Sequence, residues 1–446
     1  MTPIATRNNA DTIEVDRERM YATIGESVRE PGTIGVVGLG YVGLPTALAI
    51  VEAGASVVGI DVSAARLADI RAHRVDLIES DRCRLGRFID TERLSFSDDV
   101  TRLRDADSII ICVPTPVDGH LVPDTTALSA ACNSVVGVAR PGQTIILTST
   151  SYVGCTRELL VEPLRRRGFI PGSDIFVAFS PERIDPGSPS HLPKRTPRVL
   201  GGVTTACTAR AERTLAKSAP WVHVVSSPES AELTKLLENT FRAVNIGLAN
   251  EFATIAGELG VDIMEVIAAA ATKPYGFMPF HPGPGVGGHC IPCDPHYLLW
   301  QLRANRIPTP ITEAAMAAIA ARPRAVVLRA QELLAESGRP LASSRILVVG
   351  IAYKPGVADV RESPALQIID ELQDHGALVS FTDAMVESVI TLAGPLKSEA
   401  DPARDEWDLV IAHTLHPEVD HSWLSSHSLV LDATYRLSDA VGRHTL

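Results

Sequence analysis

The sequence predicts an α/β protein: two doubly wound domains, each built on a mainly parallel sheet, joined by a long central helix. Three observations carry this. Short apolar runs that read as strands alternate with helical stretches up to about residue 225. The alternation restarts after about residue 323. Between the two, residues 229–271 read as helix almost throughout, divided by a Gly-Val-Asp break at 260–262.

The opening elements are the clearest. TIGVVGLGYVGLPTALAIVEAGASVVGID reads as strand, glycine turn, helix, strand. The strand is Thr33 to Val37; the helix carries Leu44, Ala47, Leu48 and Val51 at helical spacing, with Gly54 at its C-cap. The second strand, Val57 to Ile60, ends at Asp61. SIIICVPTP, QTIILTST, DIFVAFSPER and WVHVVSS continue the first sheet; RILVVGIAYK, ALVSFTD, WDLVIAHT and SLVLDAT supply the second. RILVVGIAYK echoes TIGVVGLGYV and SFTD echoes VGID, so the second domain is of related design. The expected division is a mobile arm at 1–30, a first Rossmann-like domain at 31–225, a central helical region at 226–322 and a second Rossmann-like domain at 323–446.

Composition bounds the function. The chain has 446 residues, 45% of them apolar and 21% charged, as in ordinary globular proteins. A formal net charge of −12 offers nucleic acid no general attraction. No apolar run is long enough to span a bilayer, and the first twenty residues lack the apolar core of a signal peptide. Seven cysteines, an odd number scattered through a large chain, read as mostly reduced thiols in a cytoplasmic protein.

Gly38, Gly40 and Gly43 spell GxGxxG directly after a strand and at a helix start. Such glycines make a tight turn and let backbone N–H groups approach a pyrophosphate at the helix N-terminus. Asp61 lies 18 residues after Gly43, where an acidic side chain accepts hydrogen bonds from ribose hydroxyls and repels a 2′-phosphate. The cofactor expected is therefore NAD. VPTP at 113–116 ends another strand and puts Thr115 at the ligand crevice, though its prolines also serve simply to stop the strand.

The stretch GPGVGGHCIPCDPHY at 283–297 is a shaped loop around Cys290, and a metal site, a redox pair and a nucleophile's cradle are all open readings of it. His281, His289, Cys290, Cys293 and His296 fit no standard zinc spacing, so no metal is expected. Cys290-x-x-Cys293 follows a long helix rather than a thioredoxin-like unit, which leaves reversible oxidation a minor reading. For a nucleophile, Gly287 and Gly288 clear the approach to Cys290, while Pro292 and Pro295 suit the first turns of a helix whose N-terminus lowers a thiol pKa. Lys235 and Asn239, spaced i,i+4, share one helix face suited either to an oxyanion or to solvent.

Taken together, GLGYVGLP, VPTP, STSYVGCT, SPERIDPG, the Lys235/Asn239 spacing, GGHCIPCDP and YKPGVADVRESP make the chain resemble the nucleotide-sugar 6-dehydrogenases from about residue 32 to 440. The resemblance implies NAD in the first domain, a UDP-sugar held largely by the last, and oxidation of the sugar C6 hydroxyl to a carboxylate in two hydride transfers. It implies that Cys290 captures the aldehyde as a thiohemiacetal and then holds a thioester, with Asp294 assisting proton movement. Lys235 and Asn239 would stabilise the oxyanion; Glu182 and Thr150 would position water for hydrolysis. Tyr41, Val42, Arg66, Thr115 and Thr150 join the glycines and Asp61 in the expected cofactor set. Arg183, Arg242, His281, Gly287, Lys354 and Arg361 join Glu182, Lys235 and Asn239 in the expected substrate set. Arg242 resembles an arginine of the N-acetylhexosamine branch and, with GGHCIPxDP and SPERxDPG, favours that branch over UDP-glucose; UDP-N-acetyl-D-glucosamine is taken as the first substrate choice, with its galactosamine and mannosamine epimers close behind.

Two positions depart from the family pattern in STSYVGCT: Val153 stands where proline is common and Cys155 where threonine is. A third is Cys293, usually aliphatic. A two-electron dehydrogenase and a non-catalytic nucleotide sensor are the rival functions; a thiol trap serves neither. The bridging helix and the likeness both imply a homodimer or higher homo-oligomer.

Overall fold

Four β-branched residues around Gly35, Thr33–Val37, form the first strand, β1, and the glycine turn after it opens directly into helix α1, Gly43–Glu52. The computed structural model describes residues 32–75, 77–183, 196–219, 221–437 and 442–446; the expected arm at 1–30 and the Asp185-Pro186-Gly187 end of SPERIDPG lie outside the described residues. The first sheet continues through β2 (Ser56–Ile60), β3 (Leu94–Ser97), β4 (Ser108–Ile111), β5 (Thr144–Leu147), β6 (Phe176–Phe179), β7 (Arg198–Gly202) and β8 (Val222–Val225). Its order is β3-β2-β1-β4-β5-β6-β7-β8, with the reversal beside β1 that creates a ligand crevice. Every pair is parallel except β6 and β7. Neither β3 nor β7 is legible in the sequence, because LSFS and RVLGG lack a distinctive apolar run.

Helices cover both faces of this sheet, and the side-chain alternation of each strand shows it. Ile34 and Val36 join one apolar cluster with Leu44, Leu48 and Leu85, while Val37, Ile109 and Ile111 join another with Leu128, Val135 and Leu160. The covering helices are α1, α2 (Ala64–Arg71), α3 (Glu79–Phe88), α4 (Thr126–Val138), α5 (Glu162–Arg166) and α6 (Thr205–Leu215).

Ser227 caps the next helix by accepting the Ser230 N–H, and Pro228 fits its first turn; α7 then runs 31 residues, Pro228–Glu258. The break at Gly260 holds, and Asp262 caps α8, Ile263–Ala271. The glycine- and proline-rich loop leads to α9, Asp294–Ala304, and then α10, Pro310–Glu336. Residue 323 falls inside α10, whose second half (Val326, Val327, Ala330, Leu333, Leu334) packs into the core of the following sheet.

That sheet has the order β10-β9-β13-β14-β15, all parallel, from Leu378–Thr382, Arg345–Val349, Leu409–Ala412, Val430–Asp432 and Arg443–His444. A separate hairpin, β11 (Ser388–Thr391) with β12 (Gly394–Lys397), is not foreshadowed in the sequence. Helix α11, Pro364–Asp374, covers one face.

The echo between the two halves is reproduced bond for bond. Gly38 N–H donates to Ile60 O at 2.8 Å and Leu39 N–H to Asp61 Oδ2 at 2.8 Å. In the second half Gly350 N–H donates to Thr382 O at 2.7 Å and Ile351 N–H to Asp383 Oδ2 at 2.7 Å. Both glycines have positive φ, +86° and +75°, which the turn requires. No described helix is long and apolar enough to cross a membrane.

Candidate active site

The glycine turn fits a dinucleotide. A Cβ on Gly43 would collide with Gly38 O, so α1 packs hard against the turn, whereas the space beside Gly40 is open for a ligand. Asp61 is held by Leu39 N–H and by Ser63 N–H at 2.9 Å, and stays partly exposed at the end of β2. Arg66 Nε donates to Leu39 O at 2.9 Å, bracing the turn from α2. Val42 stands at the N-cap of α1 and offers no side-chain cap, leaving that helix end without a side-chain acceptor. Thr115 is buried behind β4 and faces Tyr297 of α9. Thr150 is half-buried in the loop after β5. NAD, when bound here, supplies the hydride acceptor.

The second group centres on α7, α9 and the cysteine loop. Cys290 O accepts the N–H of Asp294 at 2.8 Å and of Cys293 at 3.2 Å, so the thiol sits in the turn that starts α9. Asp294 is 2% exposed, and its Oδ2 accepts a hydrogen bond from Asn239 Nδ2. Lys235 Nζ donates to Glu182 O at 3.1 Å. Burial lifts the Asp294 carboxyl to about 6, although Lys235 and Asn239 pull it back. Burial works against the Lys235 charge, but Asp294, Cys290, Glu182 and Glu238 together leave its pKa above the ordinary lysine value. The structure thus gathers Cys290, Asp294, Lys235 and Asn239 at one point.

One expectation is corrected. A helix N-terminus was to lower the Cys290 thiol pKa; instead it lies above the ordinary value. Cys290 as a residue is exposed, yet the protein around its thiol desolvates it and the Asp294 carboxylate repels its charge. Lys235, Arg242 and Lys354 pull the other way without prevailing. Cys293 is buried and its thiol is pushed up to about 12. Neither cysteine is bonded, and the described residues hold no grouping of three His, Cys, Asp or Glu side chains suited to a metal.

The remaining expected residues fall into place around this centre. Both carboxylate oxygens of Glu182 are engaged, one by Arg183 N–H at 2.8 Å and one by Arg198 Nη1 at 2.6 Å. Arg183 pairs with Glu238 at 2.6 Å, so Glu238 binds it rather than Arg242, which is exposed on α7. Arg361 is held by Asp359 and lies over the Tyr41 ring at 5.4 Å, joining the last domain to the cofactor turn. Its carbonyl accepts Gly288 N–H at 3.1 Å. The glycines of the loop have a packing reason beyond a clear approach: a Cβ on Gly287 would lie 2.7 Å from Tyr353 Cβ, and one on Gly288 2.7 Å from the Tyr353 ring. Lys354 stands next to that ring, 5.7 Å from its centre. His281 is exposed at the start of the loop.

Several residues went unseen in the sequence. Glu232, 1% exposed, accepts Gly154 N–H at 2.6 Å, Thr156 N–H at 2.9 Å and the Thr156 hydroxyl at 2.6 Å. Its signal was available: it lies three residues before Lys235 and seven before Asn239, on the same helix face. Arg322, buried in α10, donates to Gly283 O at 3.0 Å and to the Tyr435 hydroxyl at 3.0 Å, tying the loop to the last domain. Such tertiary contacts leave no local pattern.

A dinucleotide turn, a thiol beside a lysine and a buried carboxylate, and a second nucleotide-type domain closing over both define a cofactor-dependent oxidoreductase. Three domain models of one family match the chain in order: the NAD binding domain over residues 32–219, the central domain over 229–318 and the UDP binding domain over 347–439. The chain belongs to the UDP-glucose/GDP-mannose dehydrogenase family and is an NAD-dependent nucleotide-sugar dehydrogenase. It is 34% identical to the UDP-N-acetyl-D-glucosamine 6-dehydrogenase of Pseudomonas aeruginosa over 392 residues, 85% of this chain and 90% of that one. It is 32% identical to the NDP-N-acetyl-D-galactosaminuronic acid dehydrogenase of Ralstonia solanacearum over 388 residues, 85% and 89% of the two chains. The solved UDP-D-ManNAc dehydrogenase from Pyrococcus horikoshii superposes with a TM-score of 0.84 at 30% identity, covering 93% of this chain and 98% of that one.

Proposed function

We propose that this enzyme oxidises the C6 hydroxyl of a UDP-N-acetylhexosamine to the uronate, with UDP-N-acetyl-D-glucosamine as the first choice among epimers. The observation that carries the reading is the meeting of Cys290, Lys235, Asn239 and Asp294 beside the turn that Arg361 bridges to the UDP-binding domain. In this reading the reaction consumes one sugar alcohol, two NAD and one water and releases a carboxylate and two NADH. The Cys290 sulfur adds to the intermediate aldehyde; loss of a second hydride from that adduct leaves a thioester, which water cleaves. Lys235 and Asn239 hold the oxyanion of each tetrahedral stage. Because the free thiol is raised, Asp294 takes the sulfur's proton as the bond forms. Glu182 acts by holding the SPER strand end against Lys235, since both its oxygens are engaged.

The relatives' names divide among three N-acetylhexosamines. The test is a panel of UDP-GlcNAc, UDP-GalNAc, UDP-ManNAc and UDP-glucose with NADH counted per sugar. Two NADH per molecule of UDP-GlcNAc, with the highest kcat/KM, is the expected result. One NADH per sugar on every substrate removes the thiol trap, and a clear preference for UDP-glucose removes the N-acetyl assignment. The uronate product suits polysaccharide biosynthesis, and seven cysteines outside any disulfide suit the cytoplasm.

The functional unit in this reading is a homodimer. Leu233, Leu237 and Phe241, then Leu248, Phe252 and Ile255 along α7, with Leu259 at its C-cap, are spaced by three or four residues within each group and by seven between Phe241 and Leu248, and are 42–72% exposed. At about 100° per residue this stripe points away from Glu232, Lys235 and Asn239, so a second copy would cover it without blocking the site. Sedimentation of Leu237→Glu/Phe241→Glu is expected to give a monomer where the parent sediments as a dimer. A parent already monomeric at micromolar concentration would refute the assignment.

A further inference from the structure

The loop after β5 contains a turn whose second position suits proline but holds valine, and the structure shows what braces it instead. Residues Tyr152 to Cys155 form a β-turn closed by Cys155 N–H to Tyr152 O at 3.2 Å, with Gly154 in third place at φ +97°. A positive φ there marks a type II turn, whose second position favours proline because the ring pre-sets φ. Val153 holds that second position and retains its N–H.

Both polar groups of Val153 are bound by one side chain of α9. Val153 N–H donates to Gln301 Oε1 at 3.1 Å, and Gln301 Nε2 donates to Val153 O at 2.7 Å. The neighbouring Trp300 meets Tyr152 edge to face, 5.6 Å between ring centres. From the other side Glu232 of α7 accepts the N–H groups of Gly154 and Thr156. The turn is thereby bolted to two helices. The same two helices are joined again at Asn239 and Asp294. Glu232 to Asn239 and Asp294 to Gln301 are each seven residues, about 10 Å of helix. The two links close a frame in which α7 and α9 run antiparallel, with Asp294 and the Cys290 turn at one end and the loop that carries Thr150 at the other.

We propose that Gln301, with Glu232, is a positioning residue that fixes the Thr150 loop relative to the Cys290 thiol, and that its two-pronged hold on Val153 replaces the rigidity proline would give. This rests on the thiol-trap reading above. A proline at 153 has no N–H for Gln301 to accept, but it holds the turn by itself, so the two devices substitute for one another. A misplaced reacting group lowers the rate by ten- to a hundredfold even when every reacting group is retained, roughly the effect of a 1 Å shift.

The test is a double-mutant cycle with Gln301→Ala and Val153→Pro, each assayed with saturating NAD and the preferred UDP-sugar and each melted thermally. Gln301→Ala in the parent is expected to lower kcat about tenfold or more, with KM for the UDP-sugar within about threefold and a melting temperature lowered by only a few degrees. In the Val153→Pro background the same change is expected to lower kcat no more than about twofold. A purely structural role predicts equal losses in the two backgrounds, and that result, or unchanged kcat in Gln301→Ala, overturns the inference. If Val153→Pro unfolds the chain, Gln301→Glu takes its place: it keeps the acceptor for Val153 N–H and loses the donor, so its kcat must fall between parent and Gln301→Ala. A parent inactive on every UDP-sugar would be a failure of the function assigned above, and is distinguishable because it precedes any comparison of variants.

Discussion

Cys290→Ala is expected to abolish steady-state oxidation to the uronate, lowering kcat on the order of 10⁴-fold or more, the scale seen when a covalent nucleophile is removed. The sulfur's position explains the size of the effect. It lies in the turn that begins α9, with Asp294 one turn along the chain and Lys235 among the charges acting on it. Alanine removes the bond that retains the aldehyde, and no neighbouring group takes its place, because Cys293 is buried with its thiol pushed up to about 12. Fold and melting temperature should be unaffected, since the residue is exposed. NADH formation in a single turnover, followed by mass spectrometry for a sugar adduct, checks the assignment: the parent should trap a thioester, and the alanine variant should show none. Parent-like turnover by the variant would exclude covalent catalysis.

The second large effect is expected at Asp294. Its Asn variant should lose about 10²- to 10⁴-fold in kcat, the range for a general acid–base group. Its pH dependence is the sharper measurement. Burial raises the Asp294 carboxyl to about 6, with Lys235 and Asn239 moderating the rise. Above that value Asp294 is a carboxylate that attracts the Lys235 charge and accepts a proton from sulfur. Below it the carboxyl is protonated and both functions are lost. The parent's kcat should therefore fall about tenfold per unit of pH below 6, and the residual activity of Asp294→Asn should lack that limb. An identical acid limb in both proteins would assign the ionisation to another group.

Much of this was readable from the chain before its structure. The glycine turn, Asp61, the long helix and its break, and the separate pairs Cys290/Asp294 and Lys235/Asn239 rest on short-range spacing, and such spacing survives folding; that the two pairs meet across 55 residues was implied only by the family resemblance. What escaped notice depends on partners far apart in sequence. Arg198 pairs with Glu182, and Glu232 reaches 76 residues back to Thr156. β7 runs against its neighbour with only two paired positions, Ala178 with Gly202 and Phe179 with Gly201. The thiol pKa was misjudged for a related reason. A helix terminus is a local feature, whereas the desolvation and the Asp294 charge that outweigh it are products of packing.

The matched turns of the two halves carry one more consequence. Asp61 stays partly open to solvent after receiving two backbone N–H groups. Asp383, its counterpart, is 9% exposed, receives Ile351, Ala352, Met385 and Val386 N–H groups, and faces His416 at 3.3 Å. The same carboxylate is thus a docking post in one copy and a keystone in the other. Inherited changes at the two positions would be told apart by protein abundance: variants of residue 61 would accumulate as folded but poorly saturated enzyme, and those of residue 383 would be cleared by proteolysis before they met a substrate.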